Sequence, residues 1–331
     1  MMSKTPLIEI KALKKYYLVN KGIKDAFNKN KTYVKAIDDI SLTIHEGEIL
    51  GLAGESGSGK TTTGEILVRL QNPTSGEIVI DGHPMNKNYQ KEFRKSVQMI
   101  FQDPYETLNP RFNVFDTIAE PLRIHGLKDK KTLYSKVIEA LETAELKPAE
   151  HFIYRYPHEL SGGQRQRVAI ARGIVLEPKV LVADEPVSML DVSIRADILN
   201  LLKRLRKEMG LTMLYVSHDL STIKYLCDRI AIMYLGKIME IGPVNEVVSN
   251  PQHPYTQVLL SAVPVADPDY NKKRMIIDDE VPDQINIPIG CRFTPRCPYA
   301  KEACNQCDHT MIKVSDEHYH ACIFSKEEQT S

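Results

Sequence analysis

The sequence predicts an α/β fold in which helices cover the faces of a mainly parallel sheet. Strand-like and helix-like apolar patterns alternate between Gly163 and Tyr234, and such alternation is typical of strands joined by helical crossovers. A glycine-rich loop at Gly54–Thr62 lies between an apolar strand pattern and a helical one. A third stretch, from about 103 to 160, has helical periodicity and little strand signal. It predicts a helical insert within the α/β unit.

The predicted elements are defined by apolar alternation for strands and by a spacing of three to four residues for helices. Before the insert we predict strands at Leu7–Leu13, Ala36–Ile44, Ile49–Ala53, Glu77–Ile80 and Val97–Phe101, a helix at Thr62–Leu70 and a surface connector at Lys14–Lys35. The insert should contain helices at Val114–Ile124 and Leu133–Ala144. After it we predict helices at Gly163–Val175, Ile194–Lys207 and Leu220–Cys227, strands at Val180–Ala183, Leu211–Val216 and Ile230–Tyr234, and a hairpin turn at Gly236–Lys237. Beyond Gly242–Pro243, repeated prolines predict an irregular C-terminal extension.

Composition bounds the class of protein. The chain has 331 residues, of which 42% are hydrophobic and 26% charged, and this fits two domains or one large domain with an extension. Lys and Arg number 43, as do Asp and Glu, so the balance argues against nucleic acid as the main partner. The N-terminus lacks the apolar core of a signal peptide, and no apolar run approaches a membrane span. We therefore expect a cytosolic chain that reaches a membrane only through a partner.

The glycine-rich loop has the pattern G-x-x-x-x-G-K-[ST], which is a phosphate-binding P-loop. Glycines let backbone N–H groups turn inward around a phosphate, and the following helix adds its partial positive charge. Lys60 would reach the outer phosphates, and Thr61 would hold Mg²⁺. The predicted nucleotide contacts in the loop are Gly54, Ser56, Gly57, Ser58, Gly59, Lys60, Thr61 and Thr62.

Two acidic residues end the apolar run Val180–Ala183. Asp184 is placed to hold Mg²⁺ beside the P-loop, as in a Walker B strand. Glu185 is placed to accept a proton from a water that attacks the γ-phosphate, the role of a general base. Acids at strand ends are also common as solvated turn residues, and the P-loop upstream favours the functional interpretation.

A serine and two glycines open the helix predicted after the insert, at Leu160–Arg167. A serine N-cap with flexible glycines would explain them in an arbitrary protein. Here the string resembles the LSGGQ signature of ABC-type ATPases, and this resemblance implies ATP contacts by Ser161, Gly162, Gly163 and Gln164.

Other positions share the resemblance. Gln102 resembles the Q-loop glutamine, which in the family senses Mg²⁺ and the transmembrane partner, and His218 resembles the switch histidine that contacts the γ-phosphate. Asp191 ends a D-loop-like Ser188–Asp191, in which Met189 replaces the usual alanine. Tyr17 resembles the aromatic residue that stacks on adenine, with Tyr16 as the alternative. The implied catalytic set is Glu185, His218, Gln102 and Lys60, and the implied Mg²⁺ set is Thr61, Gln102 and Asp184.

The resemblance covers about Leu7 to Ile241. It implies a P-loop NTPase fold of ABC type, with a parallel core sheet, an antiparallel β subdomain, the helical insert at about 103–160 and an irregular extension. The predicted domains are 1–245 for nucleotide binding and 246–331 for the extension. In the family two such subunits close head to tail, and the signature of one faces the P-loop of the other. The insert would contact a membrane permease.

The extension narrows the resemblance. Asn250–Thr256 and Val258–Pro264 resemble the tail of oligopeptide/dipeptide permease ATPases, a group that includes nickel importers, and Lys31–Ala36 and Asp184–Ser188 resemble its F-type subunit. This implies an ATPase at the cytoplasmic face of the membrane, paired with a D-type paralogue or with itself. Two transmembrane permeases and, indirectly, an extracytoplasmic peptide-binding protein would complete the importer. The alternatives are an importer ATPase for nickel or another small solute, and a soluble ABC ATPase outside transport.

Five of the six cysteines lie in the extension. Cys291, Cys297, Cys304 and Cys322 resemble the pattern that binds a [4Fe–4S] cluster in some family members, and four thiolates suit such a cluster. Cys307 forms a C-x-x-C with Cys304, which permits Zn²⁺ held by Cys291, Cys297, Cys304 and Cys307, or with His309 in place of one. Free reduced thiols are the third alternative. Cys227 is predicted to be a core residue.

Overall fold

The structure is a computed structural model that describes residues 5–19, 32–86, 89–263, 275, 284–285, 287–324 and 326–330. Its strands are β1 Pro6–Leu18, β2 Tyr33–His45, β3 Ile49–Ala53, β4 Ser75–Ile80, β5 His83–Pro84, β6 Val97–Ile100, β7 Val180–Asp184, β8 Thr212–Val216, β9 Arg229–Tyr234, β10 Lys237–Pro243, β11 Ile312–Lys313 and β12 Tyr319–His320. Its α-helices are α1 Lys60–Leu67, α2 Gln90–Ser96, α3 Pro104–Thr107, α4 Val114–Ile124, α5 Lys130–Thr143, α6 Gly162–Ile174, α7 Val192–Met209, α8 Leu220–Leu226, α9 Val244–Ser249, α10 Pro254–Ser261 and α11 Lys326–Thr330.

The central sheet carries the predicted alternation of strands and helices. Within the described ranges its strand order is β11-β12-β10-β9-β3-β8-β7-β6. The five strands from β9 to β6 are mutually parallel, and β10, β12 and β11 continue the sheet in antiparallel pairing. Every residue of β3, β7 and β8 is buried, as expected for parallel strands with both faces covered. Their carboxyl ends therefore meet at one edge, where the glycine-rich loop and the two acids also lie.

A second sheet of antiparallel strands, in the order β2-β1-β4-β5, packs beside the first. The prediction that the first strand ends at Leu13 is wrong, because β1 continues to Leu18 and pairs with β2 as far as Tyr33. Its last third is polar and aromatic rather than alternately apolar, so periodicity alone did not reveal it. Of the connector predicted at Lys14–Lys35, residues 20–31 lie outside the described residues.

The helical insert has the two predicted main helices. Asn113 caps α4 and Asp129 caps α5, each accepting a hydrogen bond from a backbone N–H of its helix. The two helices pack on each other and on α6 through buried residues such as Ile118 and Val137. Helix α2 was not predicted, because only Phe93 of its seven residues is buried and its sequence shows no apolar stripe.

The C-terminal extension is less irregular than predicted. His253 caps α10 by accepting a hydrogen bond from the N–H of Tyr255, and β12 pairs with β10 at the edge of the central sheet. Two-residue strands are too short to produce a periodic pattern. Pro264, Pro268 and Pro282 lie outside the described residues. No helix in the described parts of the chain combines the length and apolarity needed to span a bilayer.

Candidate functional site

The P-loop joins β3 to α1 at the carboxyl edge of the central sheet. Gly54 and Gly59 have φ values of 150° and 105°, a region that favours glycine. A Cβ at Gly59 would lie 2.2 Å from the carbonyl oxygen of Ala36, and one at Gly54 would lie 2.0 Å from that of Met233. Only glycine therefore fits at these two positions without moving the backbone of β2 or β9.

The side chain of Lys60 is buried against the backbone of the loop. Its ammonium group donates hydrogen bonds to the carbonyl oxygens of Gly54 and Glu55, both at 2.8 Å. Burial lowers the pKa of Lys60, while the nearby carboxylates of Glu185 and Asp184 oppose the shift. A positive group in this position, surrounded by backbone, can bind the outer phosphates of a nucleotide.

Thr61 and Asp184 lie next to each other as the Mg²⁺ prediction requires. The Thr61 hydroxyl donates to Oδ1 of Asp184 at 3.3 Å. Burial raises the pKa of Asp184 to about 6, with the neighbouring Glu185 carboxylate acting in the same direction and the Thr61 hydrogen bond opposing it. Hydroxyl and carboxylate oxygens are the ligands that Mg²⁺ prefers, and a divalent cation here would favour the ionised carboxylate. These donors fit the predicted ion.

Glu185 is the point at which three strand ends converge. Its Oε2 accepts a hydrogen bond from Nε2 of Gln102 at 3.1 Å, and its Oε1 lies 2.9 Å from Nδ1 of His218. Gln102 follows β6, Glu185 follows β7 and His218 follows β8. Glu185 also has a φ of 42°, a conformation that costs energy for a non-glycine residue and often occurs at functional sites.

Apart from Gly54 and Asp184, these groups line one cavity of about 640 Å³. Tyr17 lines it, whereas the hydroxyl of Tyr16 donates to Asp38 and Tyr16 is not among the lining residues. The geometry therefore favours Tyr17 over Tyr16 as the adenine contact. The lining residues are Tyr17, Val34, Ala36, Ser56, Gly57, Gly59, Lys60, Thr61, Thr62, Gln102, Glu185, His218 and Gln284.

Comparison with known proteins decides the family. Residues 37–188 match the family model described as "ABC transporter", and residues 239–304 match "Oligopeptide/dipeptide transporter, C-terminal region". The chain is 44% identical to the putative oligopeptide transport ATP-binding protein YkfD of Bacillus subtilis, over 99% of this chain and 98% of that one. It is 51% identical to the oligopeptide transport ATP-binding protein OppF of the same organism, over 81% and 86%. The chain belongs to this family of ABC transporter ATP-binding proteins.

Solved structures agree with the family. The ATPase resembles a dimeric ATP-binding cassette in a post-hydrolysis state bound to ADP and phosphate, with 30% identity and a TM-score of 0.62 over 72% of this chain and 98% of that one. It also resembles cbiO1 from Clostridium perfringens, part of the ABC transporter complex cbiONQ, with 27% identity and a TM-score of 0.63 over 75% and 92%. The predicted fold class, family and ATPase activity are thereby confirmed.

The signature lies outside the cavity of its own chain. Ser161 caps α6 by accepting a hydrogen bond from the N–H of Gln164 at 3.3 Å, and the Gln164 side chain accepts from the N–H of Ser161 at 3.0 Å. Asp191 caps α7 in the same manner, through the N–H of Ile194. None of the residues Ser161–Gln164, nor Asp191, lines the cavity. The structure thus brings together the P-loop, Gln102, Glu185 and His218, but not the signature or the D-loop.

The five cysteines of the ATPase extension come together around a separate enclosed cavity of about 20 Å³, lined by Cys291, Cys297, Cys304, Cys307 and Cys322. Burial raises the pKa of Cys291 to about 11 and that of Cys297 to about 12, while backbone N–H groups of Phe293 and Tyr299 oppose the shifts. Within the described residues, no group of three or more His, Cys, Asp or Glu side chains could hold a single metal ion. The [4Fe–4S] cluster and the zinc alternative therefore both stay predictions.

Three contacts to the P-loop were not predicted. Tyr255 and Arg296 of the extension bond Glu55, and Gln284 donates to the carbonyl oxygen of Gly57 while it lines the nucleotide cavity. Arg296 directly precedes Cys297, so its position in the cysteine segment could have marked it. Nothing in the sequence around Gln284 indicates a nucleotide-site residue.

Proposed function

We propose that this ATPase powers an importer of oligopeptides or dipeptides. The observation that carries the proposal is the match of residues 239–304 to the C-terminal region of oligopeptide/dipeptide transporters. It is supported by relatives that are named as oligopeptide transport ATP-binding proteins and that match this chain along almost their whole length. Nickel or another small solute is the rival cargo, and the permeases and binding protein would select it.

The geometry of the cavity supports the proposed hydrolytic roles. Lys60 would bind the outer phosphates, and Thr61 and Asp184 would hold Mg²⁺, with Gln102 beside them. Mg²⁺ would neutralise charge on the β- and γ-phosphates. Glu185 would take the proton of the attacking water, because its carboxylate lies in the cavity within hydrogen-bond distance of Gln102 and His218. His218 would stabilise the charge that develops on the γ-phosphate.

The complete site would need two subunits. We assign residues 1–245 to nucleotide binding and 246–331 to the extension. Ser161, Gly162, Gly163 and Gln164, together with Asp191, would contact the ATP held by the P-loop of a second subunit. The position of these residues outside their own cavity supports this, as does the likeness to a dimeric cassette. The second subunit would be a D-type paralogue or another copy of this chain.

The importer would place this ATPase at the cytoplasmic face of the membrane. The helical insert, about 103–160, would contact two transmembrane permeases, and an extracytoplasmic peptide-binding protein would act on their other side.

The test is co-expression with the permeases and reconstitution in vesicles with a set of binding proteins. Peptide should stimulate ATP hydrolysis, and stimulation by Ni²⁺ but not by peptide would refute peptide import. Purification with nucleic acid, free of permeases, would favour an ATPase outside transport.

The extension would carry a [4Fe–4S] cluster on Cys291, Cys297, Cys304 and Cys322. The support is the donor set: these four thiols line one small cavity, and four thiolates are the ligands that such a cluster needs. The thiols would have to move apart to admit a cluster, because the cavity is only about 20 Å³. Anaerobic purification should give a brown protein whose visible absorbance is bleached by dithionite, with four iron and four sulfide per chain. Colourless protein without iron would refute the assignment, and Cys297→Ser should abolish the colour.

A further inference from the structure

One residue of the cysteine segment, Cys291–Cys322, contacts the P-loop directly. The guanidinium of Arg296 donates to both carboxylate oxygens of Glu55, with Nη1–Oε2 at 2.8 Å and Nη2–Oε1 at 3.2 Å. This is the paired geometry that makes arginine–carboxylate contacts strong and directional. The side chain of Arg296 is 8% exposed and that of Glu55 is 25% exposed. The ion pair is therefore mostly removed from water, so solvent screens it less than a surface pair.

Further contacts fix both partners. The Glu55 N–H donates to the hydroxyl of Tyr255 at 3.0 Å, and its carbonyl oxygen accepts from Lys60 at 2.8 Å. Arg296 also donates to the hydroxyl of Tyr234 at 3.2 Å, and its guanidinium lies 5.7 Å from the centre of that ring. Glu55 is thus held at its carboxylate, its N–H and its carbonyl oxygen, and two of these three contacts come from the extension.

The charge of Glu55 needs this partner. Glu55 is adjacent to Ser56, which lines the nucleotide cavity, and its carbonyl oxygen bonds the lysine that would bind the outer phosphates. A carboxylate without a partner in this loop would repel a triphosphate and would compete for Lys60. Arg296 compensates that charge and holds the carboxylate in a paired contact with the extension.

We propose that Arg296 is a positioning residue for ATP binding, which acts on the P-loop by pairing with Glu55. The inference rests on the ATPase activity and not on which solute is imported. It gives the C-terminal extension a part in nucleotide affinity, in addition to any role of its cysteines. The extension would hold the P-loop in the shape that accepts ATP.

The test is a double-mutant cycle on the full chain, with MgATP affinity measured by calorimetry. Arg296→Met should raise the Kd about tenfold, and Arg296→Lys should recover part of the loss because it keeps the charge but not the paired geometry. Glu55→Gln alone should change the Kd less than about threefold, since the amide oxygen can still accept from Arg296. In the Glu55→Gln background, Arg296→Met should cost less than about threefold, because no carboxylate is left without a partner.

Two controls separate positioning from folding. Lys301→Met removes a cation of the same extension that donates to the carbonyl oxygen of Glu328 and lies over the ring of Phe324, both of them residues of the extension, and it should leave the Kd unchanged. For Arg296→Met, KM for ATP should rise while kcat stays within about twofold. Thermal unfolding of the same variant should show a cooperative transition above the assay temperature, so that the loss of affinity is measured on folded protein. An unchanged Kd in Arg296→Met would overturn the inference. An equal loss of MgATP affinity on Arg296→Met in the parent and in the Glu55→Gln background would also overturn it. Neither result depends on which solute is imported.

Discussion

Replacing Glu185 with glutamine tests the proposed chemistry most directly. The amide has nearly the shape of the carboxylate but cannot accept a proton at neutral pH. Glu185 now accepts from Gln102 at 3.1 Å and lies 2.9 Å from His218. In Glu185→Gln the amide oxygen can keep one of these contacts. The Gln102 amide can turn its own oxygen towards the new NH₂ group and so keep the other.

The expected magnitude follows from these contacts. A positioned general base contributes roughly 10²–10⁴-fold to a rate, or about 3 to 5 kcal/mol. Turnover in Glu185→Gln should fall by that factor. The affinity for MgATP should stay within about threefold, because Lys60, Thr61 and Asp184 are untouched and the hydrogen bonds at position 185 are conserved. A loss of kcat without a matching loss of binding is the signature of a group that acts only in the transition state.

The assay pairs phosphate release at saturating ATP with calorimetric binding of MgATP. Glu208→Gln is a matched control, because the Glu208 side chain is 57% exposed and pairs with Arg204 on the surface. This variant should hydrolyse ATP at the parent rate. Parent-like turnover in Glu185→Gln would refute the general-base role. A collapse of ATP binding in the same variant would instead show that Glu185 shapes the cavity.

Four further substitutions probe other parts of the site. Lys60→Ala should weaken ATP binding about 10- to 100-fold, the cost of losing bonds to a charged group, and unchanged calorimetric affinity would contradict its role. Tyr17→Ala should cost about 1 to 3 kcal/mol of ATP affinity through lost base stacking, whereas Tyr16→Phe should leave it unchanged, and the reverse outcome would reassign the adenine contact. Ser161→Ala should leave ATP binding by single subunits unchanged but slow turnover of the dimer, and it should remove a helix cap worth about 1 kcal/mol in thermal unfolding; parent-like turnover would count against a signature role.

The sequence predicted elements best where burial sets the pattern. All five residues of β8 are buried, so its apolar run marks a strand with bounds correct to one residue. Prediction failed where tertiary contacts decide the structure instead. The last residues of β1 are polar and aromatic and become a strand because β2 lies beside them. Helix α2 buries one side chain, and β12 has only two residues. Neither therefore shows a repeating apolar pattern in the sequence.

The candidate site divides in the same way. Lys60, Asp184 and Glu185 belong to contiguous motifs. They come together because parallel strands place their carboxyl ends at the same edge of the sheet. The contacts from the extension to Glu55 span 200 residues for Tyr255 and 241 for Arg296. No local pattern encodes such a pairing, because each partner alone is an ordinary polar residue. Only the packing of the extension against β9 and the P-loop makes them neighbours.

The signature supports the proposal that one chain would form half of a site. The Ser161 and Gln164 side chains already bond the first N–H groups of their own helix, and Ser161 is exposed to solvent away from the nucleotide cavity. Its chemistry is that of an anion site at a helix N-terminus, yet none of its residues lines the nucleotide cavity of the same chain. We infer that the two parts meet only across a dimer interface. Each pocket would then depend on its partner for the signature, and ATP itself would be part of what holds the two subunits together.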